Sequence, residues 1–240
     1  MAANRVTLML LALPVLFPLS DPDPARAQQA GAQQGLIALP AASTDGSISV
    51  EKALATRRSQ RSLSGDALTL QQLSQLLWSG QGVTATIQNP PRDLRTAPSA
   101  GATYPMELYA VVGAVQGLEA GVYRYVPGRH ALAVVSRGDV RAALFEAASR
   151  QTAVQAAPVT LVLAAVVART AARYGERAER YVAIEAGAVG ENLYLQAESL
   201  GLGTVYMGAY RDDVVKTVLG LPADQAVYGL LPVGRVSASR

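Results

Sequence analysis

No cysteine occurs in this chain of 240 residues. Disulfides, thiolate nucleophiles and cysteine-ligated metals are therefore excluded. Histidine occurs once, as His130. A histidine-rich zinc site is excluded, and a Ser-His-Asp triad would have to use that single residue. It lies in Pro127-Gly128-Arg129-His130, which reads as a hairpin turn, where a side chain is expected to face solvent. Lysine is nearly absent, because nineteen of the 21 basic residues are arginine. Long runs of one charge and basic stripes interleaved with aromatics are missing too, which argues against nucleic acid as a partner. Charged residues make up only 16% and hydrophobic ones 50%, so the chain is globular rather than disordered, with length for one well-buried core.

The longest apolar run, Val6 to Leu19, is broken by Pro14 and Pro18 and is too short for a good membrane span. Arg5 precedes it, and Ala25-Arg26-Ala27 follows as a small-x-small cleavage site. This is the layout of a secretory signal peptide, the alternative being an uncleaved anchor. The expected organisation is a signal over 1–27, a Gln/Ala/Gly/Pro-rich linker over 28–46 and one domain over 47–237. Export, to the periplasm, follows from that reading.

Within the domain, Thr56-Arg57-Arg58-Ser59-Gln60-Arg61 ends a short apolar helix pattern from Ser47 to Arg58. Three permanently charged guanidinium forks in so few residues suit a phosphate monoester, and the bland alternative is a solvated basic patch. Thr69 with Gln72 forms a capping-box pattern ahead of Leu70, Leu73, Leu76 and Leu77. Thr84 to Thr96 reads as a polar loop. Glu107 to Val115 reads as a buried strand, and Gly121 to Val135 as a hairpin. Pro158 to Val167 is a continuous apolar run suited to a sheet centre. Arg169, Arg173, Arg177 and Arg180 share a helical face and read as a solvated, salt-bridged surface with Glu176 and Glu179. Tyr181 to Leu200 is helical and apolar nearly all round, so it must be buried. Asp212 and Asp213 open a last helix, and Val227 to Val236 forms the final strand.

Three motifs stand in order: Arg57-Arg58-Ser59-x-Arg61, then Arg95-Thr96-x-Pro98-Ser99-Ala100-Gly101-Ala102-x-Tyr104-Pro105-x-Glu107-Leu108-Tyr109, then Leu231-Pro232-Val233-Gly234-Arg235. Together they resemble the FMN-dependent nitroreductase family over roughly residues 46–237. The middle motif looks most like the branch containing the azoline-oxidising, SagB-type dehydrogenases. The resemblance implies an α+β fold, with a mostly antiparallel central sheet flanked by helices and a long central helix at a homodimer interface.

It also implies FMN as cofactor. Arg57, Arg58, Ser59, Arg61, Gly234 and Arg235 would meet its phosphate and ribityl chain. Pro98, Ser99, Ala100 and Gly101 would lie against the ring from the neighbouring subunit, and the Met207-Gly208-Ala209 backbone would lie near the reactive ring nitrogen. There the family often has an acidic residue followed by glycine, and this chain has Gly208-Ala209. The implied activity is hydride transfer through flavin to or from a small organic molecule such as a nitro compound or quinone. No catalytic side chain is assigned. Two alternatives stay open: oxidation of a peptide-derived azoline, and a flavin-binding protein without catalysis. The azoline branch uses a Lys-Tyr pair in mid-chain, whereas here the only lysines are Lys52 and Lys216, distant in sequence from Tyr174 and Tyr181.

Overall fold

The strand Val159–Ala165 (β7) is buried at all seven positions and lies at the centre of the sheet. Its run of Val, Thr, Leu and Ala lacks the polar alternation that a solvated face would require. The computed structural model describes residues 35–237. β7 pairs on one side with β4 (Met106–Val112) and on the other with β9 (Ala226–Gly234), both antiparallel. Beyond β4 come β5 (Gly121–Val126), β6 (Ala131–Arg137) and β1 (Leu36–Ala38). Beyond β9 comes β8 (Gly203–Thr204), giving seven strands in the order β1-β6-β5-β4-β7-β9-β8.

Period-two alternation sends the strand side chains into two cores. Leu108 and Ala110 with Leu161 and Leu163 pack against α2 (Leu70–Gln81) and α6 (Ala178–Ser199). Tyr109 and Val111 with Val162 and Ala164 pack against α3 (Arg141–Ala147), α4 (Thr152–Ala156) and α7 (Asp212–Leu219). The expected α+β fold is observed, with α6 as its long central helix. The α2 capping box is also present: Gln72 N–H donates to Thr69 Oγ1 (3.1 Å), and Thr69 N–H donates to Gln72 Oε1 (3.0 Å). Among the described residues no helix is long and apolar enough to cross a membrane. The signal-peptide expectation falls on 1–27, outside the described residues.

Three expectations are corrected. The linker assigned to 28–46 is, from residue 35 onward, part of the fold. Leu36–Ala38 pairs with β6, Leu39 N–H donates to the His130 carbonyl (3.1 Å), and the Ser43 N–H donates to Gln75 Oε1 (2.8 Å). The strand is only three residues long, Leu36-Ile37-Ala38, within a Gln-, Ala-, Gly- and Pro-rich stretch, and an edge strand is held by backbone bonds that any residue can make.

The loop assigned to Thr84–Thr96 is instead a two-stranded ribbon, β2 (Val83–Gln88) and β3 (Pro91–Arg95). His130, expected to face solvent, is half-buried and fully bonded. Its Nδ1 lies 2.8 Å from the Tyr125 hydroxyl, and its Nε2 lies 2.8 Å from both Ser74 Oγ and the Pro40 carbonyl. With the proton on Nε2, the ring donates toward Pro40 and Ser74 and accepts from Tyr125. Ser74 has no exposed surface, so this Ser-His contact is a strut between α2, β5 and the N-terminal segment rather than a nucleophile pair.

Candidate functional site

The arginine segment leaves α1 (Val50–Thr56) as extended chain and runs beside β8 and the end of β9. Gln60 N–H donates to the Thr204 carbonyl (2.8 Å), Ser64 N–H to the Arg235 carbonyl (2.9 Å), and Ser237 N–H to the Ser62 carbonyl (2.9 Å). The first and third sequence motifs are thereby brought side by side. Gly234 keeps the crossing close, because a Cβ there would sit 3.1 Å from the Ser64 carbonyl oxygen and 3.0 Å from Pro158, so these neighbours would have to give way slightly.

Arg58, Ser59, Arg61 and Arg235 are exposed on this surface. Among the described residues, none of the three guanidiniums has a carboxylate within 4.0 Å. Arg58 donates only to the helix-end carbonyls of Ala55 (3.1 Å) and Arg57 (2.7 Å). Arg57 differs, because it faces Glu191 at 3.9 Å and lies 5.4 Å over the Tyr194 ring.

Tyr194, which no sequence signal separates from other core residues of α6, is the junction of the site. Its hydroxyl accepts from Tyr206 N–H (2.8 Å) and lies 2.9 Å from Ser59 Oγ. It thus ties the arginine segment to the strand leading into Met207. Met207 is buried and exchanges backbone bonds with Leu230 (2.8 and 3.0 Å). Gly208, the next residue, is exposed, with nothing within 4 Å of where a Cβ would stand. Its backbone can be approached closely by a flat ligand.

Pro98 to Gly101 lies elsewhere, against α5 (Val167–Tyr174) and the first half of α6. Gly101 has φ +60°, and a Cβ there would be 2.6 Å from the Tyr174 hydroxyl, so glycine is required. Ser99 Oγ accepts from Tyr104 N–H (2.9 Å). Arg173 donates to the Gly101 carbonyl (3.3 Å), Arg169 to the Tyr104 carbonyl (3.1 Å), and Thr103 meets Thr170 at 2.9 Å. The face of Arg169, Arg173, Arg177 and Arg180 is exposed, as expected, and two of its guanidiniums also clasp this loop. Arg169 pairs with Glu107 (2.7 Å) rather than with Glu176 or Glu179, and Glu179 accepts from the Tyr228 hydroxyl (2.5 Å).

The motifs thus fall on two separate surfaces of the chain. Tyr194 and Glu185 mark them on α6, nine residues apart, or about 13 Å at 1.5 Å per residue.

Glu185 is 3% exposed, and its Oε1 has no partner. Burial pushes its carboxyl up to about 7, against the opposing pull of Ser99, Arg95 and the Met106 backbone. A carboxyl raised in the fold contributes stability in full below its unfolded pKa of 4.5 and loses it as pH rises through about 7. Glu185→Gln should be indifferent to this titration. Its stability relative to the parent should rise between pH 5 and 8 by on the order of 3 kcal/mol, read by urea unfolding. A constant difference across that range would refute the assignment.

The sequence matches the Nitroreductase family over residues 54–235. A candidate nitroreductase of Methanocaldococcus jannaschii is 43% identical over 188 residues, 78% of this chain and 91% of that protein. The crystal structure of a candidate nitroreductase from Ralstonia eutropha superposes with a TM-score of 0.74 at 30% identity, covering 87% of this chain and 93% of the other. A chain of the Escherichia coli microcin synthetase McbBCD complex shares the fold, with a TM-score of 0.64 at 20% identity over 96% of this chain and 85% of its own length. A candidate nitroreductase from Anabaena variabilis superposes at 0.70 with 31% identity over 78% of this chain, which spans 38% of that longer one. With the three motifs folded onto two surfaces and the match extending through them, the chain belongs to the nitroreductase family of oxidoreductases, whose members typically bind flavin.

Proposed function

We propose that this protein is an exported FMN-dependent oxidoreductase that moves hydride through flavin to or from a small organic substrate such as a nitro compound or quinone. The observation that carries the reading is that Arg58, Arg61 and Arg235, all exposed and, among the described residues, without a carboxylate within 4.0 Å, lie on segments hydrogen-bonded side by side, with Ser59 tied through Tyr194 to Tyr206, two residues before the exposed Gly208. Guanidinium forks of this kind suit a phosphate monoester. Tyr194 accepts from Tyr206 N–H and lies 2.9 Å from Ser59 Oγ; with Tyr194 as donor in that pair, the exposed Ser59 hydroxyl can donate to a phosphate or polyol oxygen. Bound flavin supplies the two-electron chemistry, and the chain supplies position and charge. A hydride acceptor ring requires no thiol or histidine base, in keeping with a chain that has no cysteine and whose one histidine is a strut.

A second copy completes the site in this reading by bringing its Pro98 to Gly101 loop to the ring. Ile184 is 63% exposed in the middle of α6, and Val50 is 62% exposed on α1. A cleft of about 630 Å3 lined by Val50, Ala53, Trp78 and Leu195 opens between those helices. Ile184→Glu should convert a dimer to a monomer in light scattering and lower flavin content with it. A dimer of parental affinity would remove α6 from the interface.

The wording of the middle motif supports placement near the SagB-type branch. Azoline oxidation itself is disfavoured, since the two lysines sit on α1 and α7 and neither adjoins Tyr174 or Tyr181 in sequence. The deciding experiment is to purify residues 28–240 and identify what is released on denaturation. FMN near one per chain supports the reading. No flavin, and none bound when FMN is added, overturns it. Export is tested separately by fractionating cells that express the full chain and sequencing the mature N-terminus.

A further inference from the structure

At the end of the β4–β5 pair, away from the Arg57–Arg61 surface, lies a polar cavity of about 300 Å3. Gln81 from the last turn of α2, Arg95 from the end of β3, Glu107 from β4, Arg124 from β5 and Arg169 from α5 line it. Five elements deliver three guanidiniums, one carboxylate and one amide to a single space.

Their bonding does not close on itself. Glu107 is 11% exposed and matched twice, by Arg169 at 2.7 Å through one oxygen and by Arg124 at 3.3 Å through the other. Arg95 is left over. It donates to Gln81 Oε1 (2.6 Å) and stacks 4.7 Å over the Tyr104 ring, with no carboxylate within 4.0 Å among the described residues. Its Nε is buried without a partner, and so is Gln81 Nε2, in a residue only 1% exposed. Two buried N–H donors left without acceptors carry the desolvation penalty of those groups uncompensated. A network serving packing alone would have satisfied them. Three guanidiniums face one paired carboxylate, Glu107, and Arg95 also feels Glu185, whose ionisation burial resists, so positive charge stays in excess around those donors.

We propose that this cavity is a binding site for a compact oxyanion, a phosphate or carboxylate group, which accepts from Gln81 Nε2 and Arg95 Nε and is faced by Arg124 and Arg169. Its volume corresponds to roughly ten waters at about 30 Å3 each, enough for inorganic phosphate or a small dicarboxylate and too little for a dinucleotide. The site also bears on the loop that carries Pro98 to Gly101. Arg95 and Arg169 grip the ring and the carbonyl of Tyr104 while facing the cavity. An anion drawing on both guanidiniums is felt at the loop. The inference depends on none of the flavin assignments.

The test is calorimetric titration of the full chain, held in saturating FMN and a chloride buffer, with inorganic phosphate and with succinate. Saturable binding of at least one, at one per chain, is expected. A preference between the two identifies the source of the oxyanion. Gln81→Glu keeps a partner for Arg95 but replaces the free donor with negative charge. It should raise the thermal midpoint and weaken binding at least tenfold. Arg124→Ala, at a half-exposed position that tolerates truncation, should weaken binding at least fivefold. Arg58→Ala lies outside the cavity and should bind as the parent does. Absence of saturable binding overturns the proposal. So does binding that survives both cavity variants, or binding lost in Arg58→Ala, because the anion would then be occupying the arginine surface.

Discussion

Arg58→Ala combined with Arg61→Ala should leave the purified protein nearly colourless. Each guanidinium that meets a phosphate oxygen contributes about 1.5–3 kcal/mol as a charge-assisted bond. Losing two should weaken FMN binding by roughly 10²–10⁴-fold. The fold should hardly notice. Both side chains are exposed, neither has a carboxylate partner among the described residues, and Arg58 bonds only to carbonyls of its own helix end. Surface changes of this kind fall within about 0.5 kcal/mol. Flavin-fluorescence titration and a thermal scan separate the two effects. Arg57→Ala should differ in kind, since Arg57 is partly committed to Glu191 and Tyr194. A double variant that holds FMN as tightly as the parent would reduce the arginine segment to a solvated patch.

Gly229→Ala should be among the most damaging single methyl additions available to the chain. The Tyr206 ring is held flat between α6 and β9. A Cβ on Gly190 would stand 2.6 Å from its carbons on one side, and a Cβ on Gly229 would stand 2.5 Å from them on the other. The ring cannot swing aside, because its hydroxyl donates to the Tyr228 carbonyl (2.9 Å) and its backbone N–H is held by Tyr194. Overpacking of this kind costs about 1–3 kcal/mol and more where neither side can give. At the upper end the thermal midpoint should fall by roughly 6–12 °C. Adding Tyr206→Ala reopens the space, so the double variant should lose less than the sum of the two singles. Strict additivity would mean the glycine matters for some other reason. The same contact links stability to the site, since Tyr206 is the residue before Met207.

What could be read from the residues follows a physical divide. The α2 start was legible because a capping box is a local signal confined to Thr69 and Gln72. The centre of the sheet was legible because only a doubly covered strand tolerates the run Val159–Ala165. The ribbon β2–β3 was not. Thr84, Thr86 and Gln88 do alternate with Ala85 and Ile87, but Asn89-Pro90-Pro91 and the exposed polar face outweighed a weak period-two pattern. The roles of Arg169 and Arg173 were hidden for a different reason. Their loop partners are backbone carbonyls of residues 101 and 104, which carry no mark in the sequence, and Arg169 adds an ion pair to Glu107. The arginine segment was legible as chemistry, whereas the distribution of the site over both ends of α6 is a matter of tertiary placement.

The position of β9 has a consequence for how the chain comes together in time. Polypeptides emerge N-terminus first, yet β9 is inserted between β7 and β8, so the sheet cannot be completed until residue 234 is free. Until then β7, apolar on both faces, has one edge uncovered, which is the state in which such strands associate wrongly. Arg235 follows β9 directly, so the charged surface is finished by the same event that closes the core. A chain cut short by a dozen residues would lack both at once, and would be recognised as unfolded rather than persist as a folded but ligand-free decoy.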